Sequence, residues 1–588
     1  MQKRVIKYLL CCLFAAFVCS CANRGVGPQG GPKDTVPPSP VKSMPENGVV
    51  SFTGDKIEIH FNEYIELDNV GQNLLMSPPQ QNPPEVKARG KRVTVHLVDS
   101  LQDSTTYTID FGNAIVDFTE RNPLRGYCFA FSTGPFIDTL ELHGLVMDAG
   151  TLNPVLGIIT GIHSNHEDSA FTTMPFARIA RTDSTGHFRI GNIHEGTYRL
   201  YGVEDVSRDN RLTAGERLAF TDSLYTPAYM DSTEHVLWLF RPEQQRLYLQ
   251  RTLREQQHMI TLLFSSQPDS LPSWRALRPS EYDSLGNDSG WVDPTPYMLP
   301  QYTAHNDTVI LWLTDSTAIA QDTIMLEARY RRTDSIYQLE WYTDTLRAVW
   351  RAPRLSNKAK EAQERQRRNR KLELKSNARK SFELYDTLYV QCTTPLDSIH
   401  TEGLHLLEKV DTVLKPITFA IEQEQMGIRL VADLQKGKAY ELRVDSAAMQ
   451  DIYGVVNLYT SYSLQMKTPE DYSTLRVKMK TACEHGRIQL LDKKDQVVRE
   501  SPLVENEVFF QYLKPDTYYL RLYIDEDENG KWTTGSWEDK RQPEAVYYYP
   551  QSIQTKSNWD FEEEWDYIAV PQLQSKPKAL INVGGKKK

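Results

Sequence analysis

The chain has few cysteines, and their positions exclude a disulfide framework. Four of the seven cysteines lie within the first 21 residues, and the other three are Cys128, Cys392 and Cys483. Small secreted folds that depend on disulfides carry an even set of cysteines at close spacing. Three dispersed cysteines therefore predict free thiols. Cys128 stands in an alternating strand pattern and is expected to be a small buried apolar side chain.

Motifs of the common catalytic classes are also missing. The sequence contains neither a Gly-x-Ser-x-Gly elbow nor a Gly-x-x-x-x-Gly-Lys phosphate loop. His163, His166 and Glu167 begin like a zinc motif, but Ala170 occupies the second ligand position. These absences exclude the usual local signatures of hydrolases, nucleotide-binding proteins and zinc proteases. A triad assembled from distant residues leaves no such trace and stays open.

The chain also lacks long apolar runs and an excess of positive charge, which narrows the classes of protein to which it can belong. After Val18 no apolar run has the length that a membrane-spanning helix needs. Basic residues do not outnumber acidic ones, since the formal net charge is −10 at pH 7, which argues against a nucleic-acid partner. The 588 residues are too many for one core and predict about three to six domains.

The N terminus carries the most specific signal in the chain. Lys3, Arg4 and Lys7 precede an apolar segment that ends in Val18-Cys19-Ser20-Cys21. This pattern predicts a lipoprotein signal peptide over residues 1–20, with Cys21 as the lipid-bearing first residue of the mature chain. A plain secretory peptide is the alternative. The predicted partner of the N terminus is therefore a membrane, reached through the lipid anchor.

Most of the remaining chain alternates between apolar and polar residues. Ile57, Ile59 and Phe61 share one face of such a segment, and Asp-Ser and Asp-Thr pairs that favour turns separate many of these segments. Short strands with frequent turns are typical of β-sandwiches and barrels. The predicted fold class is all-β, a multidomain string of sandwiches with one basic helical linker.

Internal repeats divide this string. Tyr107, Asp117 and Asn122 are echoed by Tyr440, Asp451 and Asn457, and a fainter third copy lies near 309–326. Residues 188–215 also align without gaps with residues 508–535. The predicted domains are a tether (21–46), an Ig-like domain (47–135), a prealbumin-like sandwich (136–235), a β domain (236–350), a basic linker (351–381), a second Ig-like domain (382–470), a second prealbumin-like sandwich (471–570) and a tail (571–588).

Several segments resemble a known family. The Gly-Pro-Gln-Gly-Gly-Pro-Lys-Asp stalk, Phe61-Asn62-Glu63-Tyr64, the run Thr105–Ile115 and Phe131-Ser132-Thr133-Gly134 resemble bacterial Ig-like domains of the S-layer type in Gram-negative lipoproteins. Gly196-Thr197-Tyr198-Arg199-Leu200 resembles the prealbumin-like or carboxypeptidase-regulatory sandwich. The resemblance implies spacer or binding modules without catalysis. Surface-exported relatives carry acidic residues after the lipid cysteine, whereas Ala22-Asn23-Arg24-Gly25 stands here, which favours the periplasmic face of the outer membrane.

Two repeated acidic loops are candidates for calcium. Asp525, Asp527 and Asn529 alternate before Gly530, as oxygen ligands do in the first half of an EF-hand loop, but position twelve is Ser536. The other copy offers the residues Asp205, Asp209 and Glu216. The alternative is an Asp/Asn-rich turn that caps its own backbone. Calcium is the only cofactor that the sequence suggests.

Three functions remain open at this stage. The preferred one is a lipid-anchored, non-catalytic scaffold of the cell envelope with an envelope protein or a glycan as partner. A glycan-binding lipoprotein of a nutrient-uptake system would need exposed rings at Trp559, Trp565 or Tyr547–Tyr549, although aromatics in β modules are more often core residues. An unrecognised hydrolase would lie in 236–350.

Overall fold

The computed structural model describes residues 34–229, 233–242, 247–282, 290–303, 306–334, 338–351, 361 and 370–582. The all-β prediction is confirmed, because 47% of the chain is strand and 6% is helix. Cys21, the signal peptide and most of the basic linker lie outside the described residues. Within the described part of the chain, no helix has the length and apolarity needed to cross a membrane.

Alternation of buried and exposed side chains explains why these segments form strands. In the strand Lys56–Phe61 the side chains of Ile57, Ile59 and Phe61 are buried, while those between them are not. Each such strand buries one face against the facing sheet, and every fully buried Ile or Phe contributes roughly 1.5–3 kcal/mol. The strands form five successive β-sandwich units, each with its own pair of packed sheets.

Unit 1 contains nine strands. Its sheets have the orders β1-β2-β6-β5 and β4-β7-β9, with β3 paired to β8. The strands are β1 (Pro40–Met44), β2 (Lys56–Phe61), β3 (Ile65–Leu67), β4 (Leu75–Ser77), β5 (Glu85–Arg89), β6 (Arg92–His96), β7 (Thr106–Asp110), β8 (Ile115–Asp117) and β9 (Cys128–Ser132), and the short helix α1 is Val70–Asn73. Tyr107, Phe111 and Phe131 lie in the centre of its core.

Unit 4 repeats this strand order with one strand added. Its sheets are β24-β25-β30-β29 and β28-β27-β31-β33, with β26 paired to β32. The strands are β24 (Leu374–Ser376), β25 (Leu388–Cys392), β26 (Leu396–Ile399), β27 (Leu404–Val410), β28 (Val413–Pro416), β29 (Ala420–Glu424), β30 (Gly427–Val431), β31 (Ala439–Val444), β32 (Met449–Asp451) and β33 (Thr460–Gln465).

In its described residues, unit 3 has the same order without the small two-stranded sheet. Its sheets are β17-β18-β21-β20 and β19-β22-β23. The strands are β17 (Leu249–Gln256), β18 (Met259–Phe264), β19 (Ser273–Leu277), β20 (Met298–Tyr302), β21 (Thr308–Leu313), β22 (Thr323–Thr333) and β23 (Leu339–Val349), and the helices are α3 (Pro279–Tyr282) and α4 (Ser316–Ile319). Strands β21 and β22 therefore take the places that β6 and β7 have in unit 1.

Units 2 and 5 share a second topology, in which one strand pair is parallel. The parallel pairs are β10–β16 and β34–β41. Unit 2 has the sheets β13-β10-β16 and β12-β11-β14-β15, and unit 5 has β37-β34-β41 and β36-β35-β38-β39. The unit 2 strands are β10 (Leu140–Asp148), β11 (Ile159–His163), β12 (Arg178–Arg181), β13 (His187–Ile193), β14 (Tyr198–Val203), β15 (Leu218–Tyr225) and β16 (Glu234–Leu239), with the helix α2 (Ala170–Thr173).

Unit 5 adds a short strand and a C-terminal segment. The strands are β34 (Ser473–Met479), β35 (Gly486–Leu491), β36 (Val497–Pro502), β37 (Glu507–Leu513), β38 (Thr517–Ile524), β39 (Val546–Tyr548), β40 (Ile553–Gln554) and β41 (Asp560–Trp565), with the helix α5 (Gln572–Ser575). Strand β40 pairs with β38. The single-turn 3-10 helices in the described residues are Thr295–Tyr297, Thr401–Gly403, Pro469–Asp471 and Lys578–Leu580.

The units also pack against units that are distant in sequence. Leu145 and Met147 of unit 2 share one apolar cluster with Tyr523 and Tyr548 of unit 5 and with Leu580. Units 3 and 4 meet where the rings of His258 and Tyr453 lie 5.1 Å apart. Because unit 5 returns to unit 2, the chain is folded back on itself.

Candidate functional site

The acidic loop of unit 5 follows β38, and its own carboxylates hold its conformation by accepting hydrogen bonds from residues of the loop. Asp525 is buried, and its two oxygens accept hydrogen bonds from the backbone N–H groups of Asn529 and Gly530, both at 3.0 Å. Gly530 has φ +77, a left-handed conformation that glycine adopts without strain. Asp527 accepts hydrogen bonds from the side chains of Asn529 (3.1 Å) and Thr533 (2.9 Å).

Glu544 completes this loop, and sequence reasoning did not find it. Its Oε1 accepts from the backbone N–H of Glu526 at 2.9 Å, and its Oε2 accepts from that of Thr533 at 2.8 Å. Glu544 lies eleven residues after Thr533 in the sequence. The gapless alignment could not place it, because it pairs Glu216 with Ser536.

The loop of unit 2 has the same geometry. Asp205 accepts from the backbone N–H groups of Asp209 and Asn210, both at 3.1 Å. Glu216 accepts from the backbone N–H of Val206 at 2.8 Å and from that of Thr213 at 3.0 Å. Glu216 and Glu544 therefore have the same structural role. Each carboxylate accepts hydrogen bonds from backbone N–H groups at both the start and the end of its loop.

Only the unit 5 loop brings three carboxylates together in the described part of the chain. Ligand oxygens of Asp525, Asp527 and Glu544 all lie within 4.8 Å of one another. Burial raises the pKa of the Glu544 carboxyl, and the charges of Asp527 and Asp525 act in the same direction. Hard cations such as Ca²⁺ prefer clusters of this kind. Asn529, the third predicted ligand of this loop, donates from its amide nitrogen to Asp527 and Thr533, and its side-chain oxygen accepts from the backbone N–H of Lys531 at 2.7 Å.

This loop also positions two tryptophans against unit 2. The indole N–H of Trp532 donates to the carbonyl oxygen of Glu544 at 3.0 Å, and its ring covers Gly150. The ring of Trp537 lies 5.1 Å from that of Phe171 and 5.2 Å from that of Phe220. The segment between Thr533 and Glu544 thus contacts unit 2, and the hydrogen bond to Glu544 fixes the ring of Trp532.

The other predicted residues lie apart from this loop. Trp565, Tyr548 and Tyr549 are buried, Tyr547 is half-buried, and Trp559 is 58% exposed. His163 is buried between the rings of Phe176 and Tyr201, and burial lowers its pKa to about 4. His166 is exposed and contacts the carbonyl oxygen of Thr197 at 3.0 Å. Cys392 and Cys483 are buried free thiols, but Cys128 is exposed, so the expectation of a buried Cys128 is wrong.

One part of the chain matches a known protein family. Residues 34–133 match the family model of the bacterial Ig-like domain. This match supports the resemblance seen in the first Ig-like segment. No curated protein matches the chain.

Several solved structures are similar to the chain at low identity. The N-terminal part of the bacterial S-layer protein SbsC is 12% identical, with a TM-score of 0.13, and the match covers 33% of this chain and 45% of that one. A longer SbsC structure is 9% identical over 85% of this chain and 67% of that one, with a TM-score of 0.14. Cadherin domains 3–6 of protocadherin gamma B2 are 10% identical over 71% of this chain and 97% of that one, with a TM-score of 0.13. Scores this low do not indicate a shared function.

We expect Ca²⁺ to raise the melting temperature of the full-length protein, because an ion would relieve the repulsion among the three carboxylates of unit 5. At a hundredfold excess of Ca²⁺ over its Kd, the expected shift relative to chelator is about 5–10 °C. The variant Glu544→Gln should lose this shift. The matched variant Glu216→Gln should keep it, because the unit 2 loop does not gather three carboxylates. Equal melting in Ca²⁺ and chelator would instead support the closed-turn interpretation.

Proposed function

We propose that this chain is a lipid-anchored, non-catalytic scaffold of the cell envelope, attached through Cys21 to the periplasmic face of the outer membrane. The observation that carries the proposal is the docking of unit 5 on unit 2. Leu145, Met147 and Leu152 of unit 2 are buried together with Tyr519 and Tyr523 of unit 5. A string of units that closes on itself in this way holds its outer surfaces in fixed positions, which is what a scaffold for an envelope protein or glycan requires.

Polar contacts reinforce the junctions between units. The Nη1 of Arg521 donates to the carbonyl oxygen of Gly150 at 3.2 Å, across units 5 and 2. The side chain of Gln425 donates to the carbonyl oxygen of Pro300 at 2.7 Å, across units 4 and 3. At the border of units 4 and 5, Glu383 is buried and accepts from Tyr472 at 2.7 Å. These three junctions are therefore fixed by directional hydrogen bonds.

The two alternative functions find less support. Three of the rings on which glycan capture was predicted, Trp565, Tyr548 and Tyr549, are buried, Tyr547 is half-buried, and Trp559 is more than half exposed. A hydrolase in unit 3 would be favoured by a cleft with converging carboxylates or by a histidine with a shifted pKa. Burial lowers the pKa of His258, but its ring packs against the rings of Trp312 and Tyr453, and the described residues of unit 3 bring no three carboxylates together.

Protease shaving of intact cells tests both the membrane face on which the protein lies and its lipid anchor. We expect the wild-type protein to survive external protease and to be degraded only after lysis. Cys21→Ala should move the protein from the membrane fraction to the soluble periplasmic fraction, because the lipidated thiol is lost. The neighbouring variant Cys19→Ala is the matched control and should remain in the membrane fraction.

Each departure from this pattern overturns a different part of the proposal. Degradation in intact cells would place the protein outside and favour glycan capture. Membrane retention of Cys21→Ala would exclude Cys21 as the anchor.

A further inference from the structure

A cleft of about 510 Å³ lies where unit 2 meets unit 5. Three arginines line it, Arg217 and Arg241 from unit 2 and Arg521 from unit 5. Clefts of about 300–1,000 Å³ at domain boundaries are common sites for small ligands. The carboxylates of the acidic loop do not line this cleft, whereas Gly150, Arg521 and Tyr523 belong both to its lining and to the junction between units 2 and 5.

Arg217 is neutralised by the protein itself. Its Nε and Nη2 donate to the two oxygens of Glu204 at 2.8 and 3.0 Å. Its Nη1 lies 3.5 Å from Oδ2 of Asp148. The hydrogen bonds that Arg217 donates to Glu204 raise the pKa of Arg217, so this guanidinium stays charged and paired.

Arg521 and Arg241 donate mainly to neutral groups. Arg521 donates from Nε to the side-chain oxygen of Gln489 at 2.6 Å and from Nη1 to the carbonyl oxygen of Gly150 at 3.2 Å. Arg241 donates from Nη1 to the carbonyl oxygen of Gly215 at 3.0 Å, and its Nη2 is 3.8 Å from Glu204. The side chain of Arg241 is 60% exposed, so it is accessible to a ligand.

The charges around the cleft do not balance. The three guanidinium groups face two carboxylates, those of Asp148 and Glu204, which leaves one positive charge. One bound monoanion would restore neutrality. A doubly charged phosphate would exceed the positive charge and would approach two carboxylates that are already present.

The rest of the lining is apolar and aromatic. Leu239, Phe240 and Trp532 line the cleft beside the arginines. The orientation of Trp532 is fixed, because its indole N–H donates to the carbonyl oxygen of Glu544. A guanidinium next to a fixed ring suits a carboxylate that carries an apolar group, since the charge and the ring are contacted at the same time.

We propose that the cleft between units 2 and 5 binds an organic monocarboxylate that carries an aromatic or branched apolar group. Arg241 and Arg521 hold the carboxylate, and Phe240 and Trp532 contact the apolar group. Because the cleft has walls from both repeats, the bound ligand bridges units 2 and 5.

Titration of the detergent-solubilised full-length protein with N-acetyl-L-phenylalanine tests this assignment, with calorimetry and ligand-observed NMR as readouts. We expect saturable binding of this probe. N-acetyl-L-phenylalaninamide, which has the same ring but no charge, should bind at least about tenfold more weakly, because charge-assisted hydrogen bonds are lost. Inorganic phosphate should not compete.

Variants connect the binding to the cleft. Arg241→Gln should weaken binding of the probe at least about tenfold without changing the melting temperature, because this side chain is exposed. Arg241→Lys should keep part of the affinity, since it keeps the charge. Arg251→Gln, which changes an exposed arginine outside the cleft, is the matched control and should bind like the wild type. Equal binding of the amide, competition by phosphate, unchanged binding by Arg241→Gln, or no saturable binding would each overturn the proposal.

Discussion

Replacement of Lys576 by methionine will destabilise unit 5 and its junction by about 3–5 kcal/mol, because it leaves the carboxylate of Asp495 buried without its cation. The two side chains are 2% and 7% exposed, and Nζ lies 2.7 Å from Oδ2 of Asp495. The same ammonium donates to the carbonyl oxygen of Thr151 in unit 2 at 2.6 Å. Urea unfolding followed by tryptophan fluorescence measures the loss.

Two further variants isolate the contribution of this ion pair. The double variant Lys576→Met with Asp495→Asn should recover much of the stability, since no buried charge remains. Lys480→Met is the matched surface control. It removes the exposed pair with Glu564, whose atoms are 3.1 Å apart, and should cost less than about 1 kcal/mol. An effect of Lys576→Met as small as that of Lys480→Met would contradict the predicted role of the pair.

The second large effect is expected for Arg178→Met, which should weaken the docking of unit 1 on unit 2 by about 2–4 kcal/mol. Arg178 is buried, and burial lowers its pKa to about 10. Its guanidinium donates to the carbonyl oxygens of Ser77 (3.1 Å) and Thr106 in unit 1 and of Gly191 (3.0 Å) in unit 2. Methionine leaves these buried acceptors without donors.

The repeat supplies a matched control for Arg178. Arg499 stands at the corresponding place in β36 and donates to the carbonyl oxygens of Gln511 and Tyr512, both within its own unit. Arg499→Met should therefore have a smaller effect on docking. Hydrogen exchange of β4 and β7 measures the difference, because these strands should exchange faster only in Arg178→Met. Equal exchange in the two variants would refute the docking role of Arg178.

The fold class could be predicted because the signals for it are local. The alternation of Ile57, Ile59 and Phe61 determines which face of β2 is buried without reference to any other part of the chain. The resemblance of residues 47–135 to an Ig-like domain rested on short motifs and agrees with the family match over residues 34–133. The predicted domain boundaries stay predictions.

The candidate site was less predictable because its parts are separated by an insertion. Asp205 and Asp525 could be paired by alignment, since residues 188–215 align without gaps with residues 508–535. Glu544 could not, because the segment that carries Trp537 stands between it and Thr533. The junction itself was not visible either. Tyr519 and Tyr523 lie on the face of β38 that the alternation predicts to be exposed to solvent. They are buried because unit 2 packs on this face, which only the arrangement of the units shows.

The docking of unit 5 on unit 2 also has a consequence for the order of events during biosynthesis. Lys576 contacts a carbonyl oxygen that precedes it by 425 residues. At a synthesis rate of about 5–20 residues per second, the ribosome needs about 20–85 s to make the residues between Thr151 in unit 2 and Lys576. During that interval the apolar side chains of Leu145, Met147 and Leu152 are exposed to solvent. The newly made protein therefore presents an exposed apolar surface to chaperones and proteases until the segment with Lys576 and Leu580 has been synthesised.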